Sequence, residues 1–176
     1  GRKTCLKLNE LSSNGIKTIV AGTHASALPK KTLEEEPYDF VCQGEGPITI
    51  LKLIEYLNDK LKIEDIPGIW YFNKDKIVTS NKPTKMFENL DEDLPGQAWK
   101  LLDMSKYKAH NWHTFGRLES RSKYASLQTS LGCPFKCTFC CINAPFEKNT
   151  IRFWSPKHII NQIKILVEEY GISNIK

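Results

Sequence analysis

The chain has 176 residues, of which 40% are hydrophobic and 26% charged, with 10 Gly and 9 Pro. At about 150 residues per domain this is one domain or two small ones, and the balance excludes collagen-like and disordered chains. The net charge is +5, from 25 Lys and Arg against 20 Asp and Glu, and the basic residues are scattered. That pattern suits a solubilising surface and not a nucleic-acid-binding stripe. The longest apolar runs, such as Ile69-Trp70-Tyr71-Phe72, fall far short of the roughly 20 residues a membrane-spanning helix needs. The sequence opens at Gly1 with no signal-peptide pattern, so it reads as an internal piece of a longer cytosolic protein.

Residues from about 2 to 12 place Cys5, Leu8 and Leu11 on one helical face, and Ser12-Ser13-Asn14-Gly15 stops that helix. Ile16 to Val20 is a β-branched run fit for a buried strand, and Ala21-Gly22-Thr23-His24 reads as a tight loop after it. A brief helix near Lys31 to Glu36 ends at Pro37. Tyr38 to Cys42 then reads as a second strand, running into Gln43-Gly44-Glu45-Gly46. Pro47 opens a helix to about Asn58, with Ile48, Leu51, Ile54 and Leu57 on one face and Ile50 and Leu53 widening it. Strand, helix, strand, helix at these lengths predicts a parallel, doubly wound α/β sheet with some of its strands before Gly1.

Residues 59 to about 120 change character. Ile69 to Phe72, a turn at Asn73-Lys74-Asp75-Lys76, and Ile77 to Thr79 predict a hairpin. Pro83, Asp91-Glu92-Asp93, Pro95-Gly96 and the scattered aromatics Trp99, Tyr107, Trp112 and Phe115 suggest an extended connector whose rings pack. Tyr124 to Ser130 alternates as a strand should. Ser155-Pro156 caps a helix with Ile159, Ile163, Leu166 and Tyr170 on one face, Gly171 closes it, and Ile172 to Lys176 begins another strand. This is one β-loop-α-β unit of a barrel or open sheet.

Four of the 6 cysteines, Cys133, Cys137, Cys140 and Cys141, are crowded together, while Cys5 and Cys42 stand alone. Disulfides between such close neighbours would constrain little of the unfolded chain, so a reducing compartment and a metal are the better account. Thiolates are soft ligands that select zinc, copper(I) or iron–sulfur clusters. Cys133-Pro134-Phe135-Lys136-Cys137-Thr138-Phe139-Cys140 has the form C-x3-C-x2-C at the carboxyl end of a strand, where α/β folds place their chemistry. A structural zinc needs four ligands, and the fourth here would be Cys141 or one of His110 and His113, which lie well upstream. Three thiolates suit a cubane that leaves one iron open.

Gly132 through Cys140, with Phe139 before the third cysteine, resembles the signature of the radical SAM superfamily. The resemblance implies that Cys133, Cys137 and Cys140 hold a [4Fe-4S] cluster whose open iron chelates S-adenosylmethionine, and that Phe139 abuts the adenosyl group. It implies reductive cleavage to methionine and a 5′-deoxyadenosyl radical that abstracts hydrogen from substrate. Pro134, Phe135, Phe139, Pro145 and Phe146 would supply an apolar collar that excludes water. Cys141 has no family role and reads as a small buried residue or a spare thiol.

Across its length the chain is similar to the subgroup of radical SAM proteins that carry a cobalamin-binding domain. Ala21-Gly22-Thr23-His24 stands in the place of a G-G-x-H-like loop and Gln43-Gly44-Glu45-Gly46 in that of an R-G-E-G-like turn, with Ala21 for a glycine and Gln43 for the arginine. Ile66-Pro67-Gly68, the connector near Leu94-Pro95, and Arg152-Phe153-Trp154-Ser155-Pro156 fall in the same order. The resemblance implies cobalamin contacts at Gly22, Thr23, His24, Gly44, Glu45 and Gly46. The family's lower axial histidine motif, D-x-H-x-x-G, does not occur here. Without the resemblance these glycines read as turn formers and His24 as a loop histidine.

The expected organisation is therefore the C-terminal part of a Rossmann-like cobalamin-binding domain over residues 1–62, a hairpin and connector over 63–120, and the start of a radical SAM partial (β/α) barrel over 121–176. The implied activity is methyl transfer from methylcobalamin to a carbon radical, or oxidative ring closure, on a small-molecule or lipid substrate. The electron donor would be external, such as a flavodoxin or ferredoxin, and these residues alone are expected to be inactive. Two alternatives stay open: a radical SAM enzyme without functional cobalamin, and a non-catalytic zinc-binding module.

Overall fold

The structure, a computed structural model, describes residues 2–108 and 122–176; His110, Trp112, His113 and Phe115 lie outside them. The chain divides into two compact units, one of residues 1–86 with 132–150 and the other of residues 87–131 with 151–176.

The first unit begins with helix α1 (Arg2–Ser13), which half-buries Cys5, Leu8 and Leu11. Strand β1 (Ile19–Val20) follows, then the short helices α2 (Thr23–Ala27) and α3 (Pro29–Glu35), strand β2 (Phe40–Cys42) and helix α4 (Pro47–Leu57). Two further strands, β3 (Ile69–Phe72) and β4 (Val78–Ser80), form the expected hairpin, with the Asn73 side chain accepting from Asp75 N and Ile77 N in the turn. The four strands make one sheet in chain order. β1 and β2 are parallel, with Ile19 opposite Phe40, while β3 and β4 continue antiparallel. The sheet is therefore mixed, and the purely parallel expectation is corrected: a hairpin cannot add two parallel strands, because they need a crossover of a dozen or more residues.

The entry to β1 and β2 is tied by one carboxylate. Asp39 accepts from Thr18 N and Thr18 Oγ1, both at 2.9 Å, and from Lys17 Nζ at 3.0 Å. The core beneath the sheet holds Phe40, Leu53, Ile66, Ile69 and Tyr71, with Phe40 and Tyr56 edge to face at 6.5 Å. Burying each large apolar side chain of this kind is worth about 1.5–3 kcal/mol.

Two local expectations need correction. Thr23 and His24 do not lie in a loop but open α2, because Gly22 makes the turn at φ 118° and Ser26 N already bonds to the Gly22 carbonyl. On α4 the packed stripe is Thr49, Leu53 and Tyr56, whereas Leu51, Ile54 and Leu57 are exposed. That helix is apolar on nearly every side, and the hydroxyl of Thr49 selects the inward face by donating to the Pro67 carbonyl at 2.7 Å.

The second unit contains α5 (Leu90–Asp93), β5 (Tyr124–Ala125), β6 (Ser130–Gly132), β7 (Ile151–Phe153), α6 (Pro156–Glu168) and β8 (Asn174–Ile175). β5 and β8 are parallel across α6, which is the expected β-α-β crossover. The single strand expected from Tyr124 to Ser130 is broken in two: its start pairs with β8 and its end with β7, so the ladder changes partner between them. α6 is capped as its sequence predicts, with Ser155 Oγ accepting from His158 N. Leu166 is fully buried beside Ala125 and Ile172. Gln162 is buried as well, and it accepts from the Trp99 indole at 3.1 Å. Connector and helix are stapled by Arg152 to the Phe87 carbonyl, Trp154 Nε1 to the Leu94 carbonyl and Ser155 N to Asp91 Oδ1. No described helix is long and apolar enough to cross a membrane.

Burial pushes the Asp39 carboxyl up, but its bonds from Lys17 and Thr18 outweigh that and hold it below the ordinary carboxylate range. A group whose folded pKa is lowered stabilises the fold above its unfolded value, near 3.9, and loses that contribution as pH falls through the lower folded value. Asp39→Ala should cost about 1.5–3 kcal/mol at pH 7, the range for hydrogen bonds to a charged group. The deficit should shrink below pH ~4. Urea unfolding of both proteins across that range measures it; a deficit that does not vary with pH counts against the carboxylate tie.

Candidate metal and cofactor site

The cysteine loop follows β6 but packs within the first unit. Its neck is closed at Gly132, whose φ is +87° and whose absent Cβ would collide with the Thr150 carbonyl. Only glycine meets both conditions. Inside the neck, Cys140 N bonds to the Cys137 carbonyl at 3.1 Å, so these two cysteines lie across one turn, and Ala144 N bonds to the Cys141 carbonyl at 3.0 Å. The side chain of Asn143 binds the backbone of Cys133. Beyond it a 3-10 turn, Ala144–Phe146, packs on α2.

Cys133, Cys137, Cys140 and Cys141 are all free thiols, Cys133 half-buried and the others exposed. They line one cavity of about 510 Å³ together with Phe135, Ile142, Asn143 and Ala27 of α2. Among the described residues no three His, Cys, Asp or Glu side chains converge on the position of a single ion. A [4Fe-4S] cube takes one thiolate per iron, so its ligands stand apart around a volume. The soft donor set and the shared cavity fit an iron–sulfur cluster, and the same thiolates are donors that zinc also selects.

The expected collar is divided. Pro145 and Phe146 are half-buried, but Phe135 is 70% exposed and Phe139 91% exposed, so among the described residues nothing shields those two rings from water. Phe139 stands on the thiol loop one residue before Cys140, and no described residue covers it.

The second set of residues lies at the carboxyl ends of the two parallel strands, the edge at which open α/β sheets bind ligands. Gly22, Thr23 and His24 follow β1; Gly22 and His24 are exposed and Thr23 half-buried. Gly44, Glu45 and Gly46 follow β2, with φ +102° at Gly44 and +95° at Gly46, which caps α4. Gly44 N bonds to Ser26 Oγ at 3.2 Å, which joins the two segments. A Cβ on Gly22 would meet nothing within 4 Å, so open space lies beside that turn. Gln43, in the place of the family arginine, accepts from Trp70 Nε1 at 2.8 Å and so serves the sheet. Ile66-Pro67-Gly68 backs this edge: Gln43 N bonds to the Gly68 carbonyl at 2.8 Å, and a side chain at Gly68 would strike the Gln43 carbonyl. The two lone cysteines take no part; burial pushes the Cys42 thiol up, and the Glu36 carboxylate bonded to Cys5 raises that one.

Asn143 and Ser26 are the residues of this region that sequence reasoning missed. Neither carries metal-ligand chemistry, and both act on backbone atoms that only the fold brings near.

No family model matches the chain. An uncharacterized methyltransferase of Pyrococcus horikoshii is 31% identical over 98% of this chain and 35% of its own length. Cytidylyl-2-hydroxyethylphosphonate methyltransferase of Streptomyces wedmorensis is 30% identical over 95% of this chain and 34% of its own length. An anaerobic magnesium-protoporphyrin IX monomethyl ester cyclase of Rubrivivax gelatinosus is 26% identical over 89% and 27% respectively. Among solved structures, the cobalamin-dependent S-adenosylmethionine radical enzyme OxsB with aqua-cobalamin bound matches with a TM-score of 0.63 at 22% identity, over 94% of this chain and 21% of that one. The radical S-adenosylmethionine methyltransferase TsrM of Kitasatospora setae matches with a TM-score of 0.62 at 16% identity, over 98% and 31%.

The chain's curated relatives include methyltransferases and cyclases. It spans about a third of the length of the first two curated relatives. Its fold is the mixed α/β fold of the cobalamin-dependent radical SAM structures OxsB and TsrM.

Gly132→Ala should destabilise the protein by about 1–3 kcal/mol or more, since it adds a backbone collision to a positive φ. Gly22→Ala, with open space beside it, should cost only the conformational strain of φ 118° and ψ −171°, about 1–3 kcal/mol, without the added collision. Denaturant midpoints of the two variants test the order; equal costs would show that the neck is not closed as described.

Proposed function

We propose that this chain is part of a cobalamin-dependent radical SAM enzyme working in a reducing cytosol. Cys133, Cys137 and Cys140 hold a [4Fe-4S] cluster, and the cavity they line admits S-adenosylmethionine with Phe139 beside its adenosyl group. When bound, the reduced cluster supplies one electron to the sulfonium, breaking its bond to the 5′ carbon and leaving methionine and a carbon radical. Residues 1–62 then form the later part of a Rossmann-like cobalamin domain, with the corrinoid along Gly22, Thr23, His24, Gly44, Glu45 and Gly46. Residues 121–176 begin a radical SAM barrel.

The observation that carries the reading is that the thiols of the C-x3-C-x2-C motif line one cavity on a loop closed at its neck. The chain's own residues hold the loop in place, with Cys133 half-buried and Cys137 and Cys140 exposed. The methyltransferases among the relatives support methyl transfer, and the acceptor in this reading is a carbon of a small-molecule or lipid substrate. The cyclase supports oxidative ring closure as the second reading. Either reaction draws its electron from an external carrier of flavodoxin or ferredoxin type.

Anaerobic reconstitution of the full-length protein should give a brown species with about four irons per chain and a paramagnetic signal after dithionite. Cys137→Ala should abolish both, and Cys141→Ala should retain them. Stoichiometric zinc with no visible absorption overturns the proposal. Bound corrinoid in the full-length protein supports the cobalamin-dependent reading; a cluster without corrinoid leaves a radical SAM enzyme of another type.

A further inference from the structure

The side chain of Asn143 is placed where it has no ordinary duty. It flanks the N-terminus of the 3-10 turn Ala144–Phe146, a position at which asparagine usually accepts a bond from the turn's own N–H groups, yet it makes no such bond. It is turned instead onto Cys133: Oδ1 accepts from Cys133 N at 2.9 Å, and Nδ2 donates to the Cys133 carbonyl at 2.7 Å. Nδ2 also donates to Asn149 Oδ1 at 3.0 Å. An asparagine amide has one carbonyl and two N–H groups, so both protons and the oxygen are committed. Cys133 N can only donate and its carbonyl can only accept, which fixes which end of the amide is oxygen.

We propose that Asn143 is a positioning residue whose amide clasps the backbone of Cys133 and so preorganises the thiol loop for its cluster. The clasp closes a ring of chain containing Cys137, Cys140 and Cys141, and it accompanies the one difference among the four cysteines: Cys133 is half-buried while the others are exposed. Because it acts on backbone atoms, it fixes the place of the first ligand without competing for the sulfur lone pairs. Groups that orient metal ligands in this way are typically worth about 10–100-fold in metal retention.

The inference rests on the reading of Cys133, Cys137 and Cys140 as cluster ligands, and the test separates the two. The full-length protein and its Asn143→Asp and Asn143→Ala variants are reconstituted anaerobically. Iron loss to a chelator is timed, and the reduced-cluster EPR signal is recorded at equal loading. Asp keeps the shape of Asn but sets an oxygen against the Cys133 carbonyl, so a residue that only fills space would tolerate it. Iron should leave both variants about 10–100-fold faster than the parent, with a broadened EPR signal from a first ligand no longer held in one place. Wild-type retention and an unbroadened signal in Asn143→Asp overturn the inference, and that variant alone decides if Asn143→Ala does not fold. Parent protein that takes up no iron overturns the ligand reading, and the inference falls with it.

Discussion

The candidate site depends on one mechanical constraint: the thiol loop is anchored to α2 through a short turn. Ala144–Phe146 packs on α2, and a Cβ on Gly44 would stand 4.0 Å from the Pro145 carbonyl. α2 is itself held by buried Ala25 and Ser26, and Ser26 Oγ carries the bond from Gly44 N. One continuous set of contacts therefore runs from the edge at Gly44 through α2 and the turn to Asn143 and Cys133. No single hydrogen bond in it exceeds the usual net worth of about 0.5–1.5 kcal/mol. The constraint comes from their succession, because each fixes the position from which the next is made.

Two glycines make that succession possible. At Gly68 the chain passes so close to the Gln43 carbonyl that no side chain fits, which brings the Gly68 carbonyl onto Gln43 N. At Gly132 the close approach is to Thr150, and it gathers the two ends of the thiol loop. The first glycine steadies the strand end where the corrinoid residues are proposed, and the second steadies the cluster loop. Both act by letting backbone approach backbone, a contact that contributes no chemistry and leaves the reactive side chains free.

What was legible in the sequence follows from how local each signal is. The capped helices were legible, since Ser155-Pro156 and Pro47 set their own starts and an apolar stripe such as Ile159, Ile163, Leu166 and Tyr170 has one evident inner face. The cysteine spacing was legible for the same reason. The inner face of α4 was not, because apolar residues surround that helix and the choice falls to the hydroxyl of Thr49 bonding to Pro67. The break between β5 and β6 was not, because alternation over Tyr124 to Ser130 says which side chains share a face and nothing about a change of partner. The hairpin was visible at Asn73 to Lys76, but its attachment to β2 is a long-range pairing that no local pattern encodes. Asn143 and Gln162 were invisible for a related reason: one serves Cys133 and the other the Trp99 indole, and both look like surface residues until the chain is folded.

The four cysteines divide by what holds their backbones. Cys133 is clasped by Asn143, Cys137 and Cys140 are joined across one turn, and all three line the cavity. Cys141 differs: its carbonyl accepts from Ala144 N, the first residue of the turn that anchors the loop to α2. Its place is therefore set by the anchoring turn, although its thiol also lines the cavity. The bond from Ala144 N holds the Cys141 backbone and leaves rotation about its Cα–Cβ bond free, so the thiol keeps its access to the cavity. In the cluster proposed for this site, Cys133, Cys137 and Cys140 would each hold one iron at a separate point, which asks nothing of Cys141.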